Sequence, residues 1–292
     1  MWREFEIGVE GGGPYGIVAG PGGALWCTLV HAGRLARIAP DGDVTLFPLD
    51  NPEAGPSIVV TGPDGALWFT RFRDGRVGRI TPDGEQSSIA VPSPFGLAVA
   101  PDGALWTSEL NADRVWRVTP DGETTPFELG TEGAIPSMLA AAPDGTVWCT
   151  LNQGNAIARV TPEPAVFALP TPGAAPVGIT VAGDGAAWFV EIGAGQLGRI
   201  TADGEIAEFP LPDRAARTHA IVADPAGGCW YTEWAGNRLG HMDAGGTGIR
   251  TWDLPTPDSE PHGLAVAPDG AVWVALERGS VARFSPPFSP PR

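Results

Sequence analysis

Two glutamates and a histidine near the C-terminal end of the chain have the residue types that acid–base and metal chemistry need. Glu260 and His262 are two residues apart, so in extended backbone their side chains point to the same side. Glu277 follows at the end of the next predicted strand. Paired carboxylates suit a hard cation such as Mg²⁺, whereas zinc more often takes several histidines or cysteines.

This trio predicts one of two chemistries. A histidine beside a metal-bound carbonyl can remove the proton α to that carbonyl while the metal stabilises the enolate, which is lyase chemistry. The same groups with an activated water suit a metal-dependent hydrolase nearly as well. The sequence has no Gly-x-Ser-x-Gly nucleophile motif and no Gly-x-x-x-x-Gly-Lys phosphate loop, so neither of those common sites is expected.

The elements that position these residues come from an internal repeat close to Pro-Asp-Gly-Ala-Leu-Trp. Its tryptophans are Trp26, Trp68, Trp106, Trp148, Trp188, Trp230 and Trp273. Each unit of about 40 residues contains short apolar segments separated by turn residues, the length and pattern of a four-stranded propeller blade. The sequence therefore predicts an all-β protein, a single seven-bladed β-propeller domain over residues 1–292.

The two ends of the chain are predicted to close the ring together. The last unit reaches its third strand at 281–284 and then runs into prolines, so it lacks an outer strand. Residues 3–7 match the outer strands of other units, such as 207–211. An N-terminal strand that completes the seventh blade leaves few exposed sheet edges and places blade 1 beside blade 7.

Alignment of the units on tryptophan separates recurring residues from singular ones. The residue eleven positions before each tryptophan starts the innermost strand and is expected at one mouth of the central channel. The seven occupants are Tyr15, Ser57, Phe95, Ser137, Val177, His219 and His262. Blades 6, 7 and 1 thus bring two of the four histidines and a tyrosine together, while Glu260, thirteen residues before Trp273, is the single carboxylate at its repeat position.

Other polar residues and the cysteines are expected to have structural roles. Glu109, Glu191 and Glu233 recur at the third position after tryptophan and are expected to be structural. His241 replaces an arginine that the other six units have, and His31 lies in a loop after strand two of blade 1, so neither is expected to act in chemistry. The three cysteines each adjoin a repeat tryptophan, which indicates core residues and not a disulfide framework.

The charge and composition of the chain argue against some classes of binding partner. The net charge of −16 makes nucleic acid an unfavourable ligand, because phosphates would be repelled. The sequence has no apolar run long enough to span a membrane, and its first residues lack the apolar core of a signal peptide. We expect a cytoplasmic monomer that binds a small molecule.

The whole chain resembles the virginiamycin B lyase family, the streptogramin B lyases. The resemblance extends over all seven units, in phrases such as GPYGI, WFVEIGAGQLGRIT, ITADGEIAEFPLP and EPHGLAVAPDGAVWVALE. It implies that Glu260 and Glu277 bind Mg²⁺ and that His262 is the general base. It also implies active-site roles for His219, in ARTHAI, and for Tyr15, in GPYG.

By this resemblance the expected activity is the opening of type B streptogramin antibiotics, which are cyclic depsipeptides, and so resistance to them. The ester at the ring's threonine side chain would break by β-elimination. Two departures concern substrate fit: Thr218 stands where proline is expected, and blade 3 is short with Phe95 at its mouth position. A metal-dependent lactonase or esterase and a non-catalytic ligand-binding propeller remain as alternatives.

Overall fold

The computed structural model describes residues 1–287, and these form seven four-stranded antiparallel sheets arranged as the blades of a β-propeller. The predicted fold class is therefore confirmed. The last five residues of the predicted domain, 288–292, lie outside the described part of the chain. Among the described residues, no helix is long and apolar enough to cross a membrane.

The strands follow one another from the channel outwards in each blade. Blade 1 contains β2 (Pro14–Ala19), β3 (Leu25–Leu29), β4 (Arg34–Ile38) and β5 (Val44–Pro48), with a 3-10 turn at Pro21–Gly23. Blade 2 contains β6 (Pro56–Thr61), β7 (Leu67–Arg71), β8 (Arg76–Ile80) and β9 (Gln86–Ala90). Blade 3 contains β10 (Pro94–Val99), β11 (Leu105–Glu109), β12 (Arg114–Val118) and β13 (Thr124–Glu128). Blade 4 contains β14 (Pro136–Ala141), β15 (Val147–Leu151), β16 (Ala156–Thr161) and β17 (Ala165–Ala168).

The remaining blades repeat this order. Blade 5 contains β18 (Pro176–Val181), β19 (Ala187–Glu191), β20 (Gln196–Ile200) and β21 (Ile206–Pro210). Blade 6 contains β22 (Thr218–Ala223), β23 (Cys229–Glu233), β24 (Arg238–Met242) and β25 (Ile249–Asp253). Blade 7 contains β26 (Pro261–Val266), β27 (Val272–Leu276) and β28 (Ser280–Phe284), and β1 (Trp2–Glu6) is its outer strand.

The repeat tryptophans fill the spaces between neighbouring blades. All seven are buried, with at most 4% of their surface exposed. Trp26 of blade 1, for example, belongs to one apolar cluster with Leu67 and Phe69 of blade 2. Cys27, Cys149 and Cys229 are buried free thiols that belong to other apolar clusters of the same kind. The repeated motif therefore supplies the apolar contact that holds each blade against the next.

The ring closes as predicted, but the N-terminal strand covers residues 2–6 and not 3–7. Strand β1 pairs antiparallel with β28 from Trp2 opposite Phe284 to Glu6 opposite Ser280. Ile7 lies beyond the strand, but its N–H still donates to the Gly279 carbonyl at 3.1 Å. The ring of Phe5 stacks on Trp273 with centroids 5.2 Å apart.

We predict that deletion of residues 1–8 lowers the free energy of unfolding by about 3–6 kcal/mol, because Phe5 and Ile7 each lose about 1.5–3 kcal/mol of burial. Chemical denaturation of the truncated and full-length chains measures the change. Glu6→Ala alters an exposed side chain of the same strand and should change stability by less than about 0.5 kcal/mol. An unchanged denaturation midpoint after the deletion would contradict this closure.

Candidate functional site

A recurring backbone turn starts the innermost strand of every blade. The residue thirteen positions before each repeat tryptophan has a left-handed conformation, with φ between 40° and 65°. The seven residues are Gly13, Gly55, Ser93, Ile135, Ala175, Arg217 and Glu260. In blade 7 the carbonyl of Glu260 accepts the N–H of Glu277 at 3.1 Å, which places these two residues side by side at one mouth.

This turn corrects the reasoning that paired Glu260 with His262. Glu260 has a φ of 55°, so the two residues do not alternate as in extended backbone. The Glu260 carboxylate instead accepts a hydrogen bond from Arg278 Nη2 at 2.9 Å. The expectation that both side chains point to one side rested on strand geometry that begins only at Pro261.

An irregularity after the turn directs the mouth residues towards the channel. In each blade the pairing of the first two strands shifts register over the residues at the mouth, between Pro261 and Leu264 in blade 7. The same shift occurs in the other six blades. Since the backbone is the same in all seven blades, the side chain at this position decides what each blade contributes.

The structure brings the mouth residues of blades 6, 7 and 1 into contact. The ring of His262 lies between the other two, with centroids 4.4 Å from Tyr15 and 4.5 Å from His219. Tyr15 and His219 meet edge to face at 6.0 Å. Gly263 permits this approach, because a Cβ there would lie 2.6 Å from the Tyr15 carbonyl oxygen.

Glu277 joins this cluster from the end of β27. It is the first turn residue after Leu276, the last residue of β27, and it follows Trp273 by four positions, whereas Glu109, Glu191 and Glu233 follow their tryptophans by three; the pairing of β27 with β28 is continuous, so no bulge causes this difference. His262 Nε2–H donates to Glu277 Oε2, and His31 Nε2–H donates to Oε1 at 2.8 Å. These bonds outweigh partial burial and lower the pKa of the Glu277 carboxyl to about 2.

Burial fixes the protonation states of the other two residues. Desolvation, with a smaller contribution from His262, lowers the pKa of His219 to about 3, so this imidazole is neutral at neutral pH. Desolvation and the nearby Glu277 charge raise the pKa of Tyr15 to about 12, so its hydroxyl keeps its proton. The site therefore combines the Glu277 carboxylate with two neutral groups that each have a proton available for a hydrogen bond.

His31 is the site contact that the sequence did not predict. It comes from the loop after β3, and its side chain is 47% exposed. Nothing in the repeat distinguishes it, because its position five residues after Trp26 is occupied by different residues in every blade except the arginines of blades 2 and 7. Only ring closure and the direction of the loop bring it to Glu277.

The carboxylates of Glu260 and Glu277 are ligands of the type that Mg²⁺ prefers, but in this structure they accept hydrogen bonds from Arg278 and from two histidines. Within residues 1–287, no three histidine, cysteine, aspartate or glutamate side chains are arranged to hold a metal. Glu260 and Glu277 are neighbours through their backbone bond, and their side chains are 30% and 23% exposed. Mg²⁺ commonly uses one or two carboxylates and retains waters, so this pair suits it once Arg278 and the histidines release the oxygens.

The residues expected to be structural have structural partners. Glu109 accepts a hydrogen bond from Trp116 Nε1 at 2.8 Å, and Glu191 accepts one from Gln196 at 2.7 Å. Glu233 pairs with Arg238. His241 Nε2 lies 2.9 Å from Asp224 Oδ2, in the place where other blades pair an arginine with the aspartate of the turn, as Arg199 does with Asp184.

An apolar cavity of about 250 Å³ occupies the channel behind the mouth. Tyr15 and His219 contribute to its wall, and most of the remaining lining is aliphatic or aromatic, including Ile58, Phe95 and Met138. The polar cluster is thus confined to the blade 6–7–1 side. A ligand at the mouth would meet acid–base groups on that side and apolar surface on the other.

Fold and site together define a seven-bladed propeller with a carboxylate–histidine–tyrosine cluster at one channel mouth. The family model of the virginiamycin B lyase family matches residues 1–284. The chain belongs to the virginiamycin B lyase family.

Similar proteins are found at the levels of sequence and structure. A virginiamycin B lyase from Saccharopolyspora erythraea is 60% identical over 48 residues, which cover 16% of this chain and 16% of that relative. A crystal structure of virginiamycin B lyase from Staphylococcus aureus has a TM-score of 0.92 at 36% identity and covers 97% of this chain and 98% of that one. A catalytically inactive histidine-to-alanine variant of that enzyme with quinupristin has the same TM-score at 35% identity, with the same coverage.

We predict that His31→Ala raises the pKa of the Glu277 carboxyl from about 2 towards the ordinary glutamate value of about 4.3, because one of its two donors is lost. Carbon NMR of glutamate-labelled protein, with Glu277→Gln for assignment, measures it. Gln153→Ala removes the corresponding loop side chain of blade 4 and should leave the Glu277 titration unchanged. An unaltered pKa in His31→Ala would show that this contact does not form in solution.

Proposed function

We propose that this protein is a carbon–oxygen lyase that linearises type B streptogramin antibiotics and so confers resistance to them. The observation that carries the proposal is the contact of His262 with Tyr15, His219 and Glu277 at one mouth. Family membership supports it, as does the inactivity of the Staphylococcus aureus enzyme when one histidine is replaced. The bond broken is the ester that joins the threonine side chain of the ring to the C-terminal carboxyl group.

His262 is the proposed base, and its surroundings define which nitrogen acts. Nδ1 is buried and has no hydrogen-bond partner among the protein atoms described, whereas Nε2 faces Glu277. Substrate can therefore reach His262 only from the Nε2 side. Nε2 carries the ring proton while it donates to Glu277, so it can take the threonine α-proton only after Glu277 releases it and the ring proton moves to Nδ1.

His219 and Tyr15 act on the ester in this proposal. At neutral pH Tyr15 keeps its hydroxyl proton and the neutral His219 ring retains one N–H, so each has a hydrogen bond to donate. The group that leaves is a carboxylate, which is stable as an anion at neutral pH and needs hydrogen bonds rather than a proton. A tyrosine whose pKa is raised to about 12 is suited to that role, because it positions the oxygen without becoming ionised.

Mg²⁺ held by Glu260 and Glu277 is part of the proposal. When bound, the ion would supply positive charge for the carbonyl oxygen on which negative charge develops during proton removal. The chain's contribution is to hold two carboxylates on backbone-paired residues at the mouth. When no metal ion is bound, Arg278 donates a hydrogen bond to Glu260. His31 and His262 donate to Glu277.

The mass of the product distinguishes a lyase from a hydrolase. Elimination within a ring opens it without adding any atom, so we expect a linear product with the mass of the cyclic substrate and a new carbon–carbon double bond at the former threonine. Substrate deuterated at the threonine α-carbon should lose that deuterium. Mass spectrometry of the product reads both; a mass gain of one water with the deuterium retained would identify a hydrolase instead.

His262→Ala tests the base in the same assay. We expect a loss in kcat of roughly 10²–10⁴-fold, the range for removal of a general base. Ser137→Ala changes the corresponding mouth residue of blade 4 and should stay within about threefold of the unaltered protein. Equal activity of His262→Ala and Ser137→Ala would remove His262 from the mechanism.

Magnesium dependence is tested by titration as well as by activity. Glu260→Gln and Glu277→Gln should each weaken Mg²⁺ binding about tenfold or more in isothermal titration calorimetry, because a charged ligand is lost. Glu132→Gln, at an exposed glutamate of the loop before β14, should bind Mg²⁺ unchanged. Full activity in the presence of a strong chelator would contradict the metal proposal and leave the test of elimination intact.

A further inference from the structure

Buried hydroxyl groups connect the inner strands of neighbouring blades. The residue two positions after the repeat tryptophan is threonine or serine in five blades. In each of these, the hydroxyl accepts a hydrogen bond from the N–H that follows the mouth residue of its own blade and donates to the mouth carbonyl of the next blade. The residues are Thr28, Thr70, Ser108, Thr150 and Thr232.

In blade 6 this link joins two residues of the site. Thr232 Oγ1 accepts the N–H of Ala220, the residue after His219, at 3.1 Å. It donates to the carbonyl of His262 at 2.9 Å. Thr232 is fully buried, so no solvent competes for these bonds. One hydroxyl thus fixes the backbone beside both active-site histidines.

The same repeat shows that a blade does not need the hydroxyl in order to form. Val190 occupies the position in blade 5 and Ala275 occupies it in blade 7, and both blades are complete. The hydrogen bonds that these two blades lack are the ones that would bind the backbone carbonyls of His219 and Tyr15. Of the described residues Tyr15, His219 and His262, only His262 therefore has a backbone carbonyl that accepts a hydrogen bond from such a hydroxyl.

We propose that Thr232 is a positioning residue that sets the separation and orientation of His219 and His262. The proposal rests on the proposed lyase function for its effect on rate. Thr232 does not touch substrate; it acts through the two backbone groups that it connects. Because both histidines sit where the strand register shifts, the adjoining ladder holds them less firmly, and the hydroxyl supplies the missing constraint.

Thr232→Val tests this, since valine keeps the shape of threonine and removes the hydroxyl. We expect kcat for streptogramin opening to fall about 10- to 100-fold with KM changed less than about threefold, because small displacements of catalytic groups mainly affect the chemical step. Thr232→Ser should restore kcat to within about threefold. Thr150→Val removes the equivalent link in blade 4 and should lower thermal stability to a similar extent while leaving kcat within about threefold.

Histidine NMR supplies a readout that does not depend on activity. The protein has only four histidines, so the ring resonances can be assigned from single replacements. Thr232→Val should shift the resonances of His219 and His262 and leave those of His241 in place, and Thr150→Val should shift none of them. Unmoved His219 and His262 resonances in Thr232→Val, or an equal loss of kcat in both valine variants, would overturn the proposal. Shifted resonances in a protein whose unaltered form leaves streptogramins intact would support Thr232 as a positioning residue and reject the lyase function.

Discussion

The pairing of β1 with β28 is the interaction on which the candidate site depends. Tyr15 and His31 come from the first blade, whereas His262 and Glu277 come from the last, and these residues meet because the ring closes. The clasp is built from ordinary strand pairing and the burial of Phe5 against Trp273. This pairing is remote from the mouth, and together with the direct packing of blade 1 on blade 7 it links the stability of the site to that of the ring.

A constant backbone with variable side chains explains how one repeat produces both scaffold and site. The left-handed residue and the register shift occur in all seven blades, including those with Ile135 or Ala175 at the strained position. A β-branched residue there is less favourable than the glutamate of blade 7. The conformation of Glu260 is therefore a property of the fold, and its chemistry has to be argued from its carboxylate alone.

Much of this arrangement could be predicted from the sequence because each prediction used the repeat period. The tryptophan spacing gave the blades, and the shared register placed Tyr15, His219 and His262 at one mouth. Two features could not be obtained in this way. The contact of His31 with Glu277 depends on the path of one loop, and the pairing of Glu260 with Arg278 depends on a left-handed turn that a strand pattern does not reveal.

The contacts of Glu277 relate the two roles proposed for this residue. Each of its carboxylate oxygens accepts a bond from a different histidine, so a cation at either oxygen would share that oxygen with a histidine donor or displace the donor. Loss of the bond to His262 frees Nε2, the side of that ring that substrate can reach. In the proposed reaction, exchange of partners at Glu277 would therefore open Nε2 to substrate, and this nitrogen becomes the base once its proton has moved to Nδ1. The neutral state of His219 favours this exchange, because an imidazolium at that position would compete for the same carboxylate.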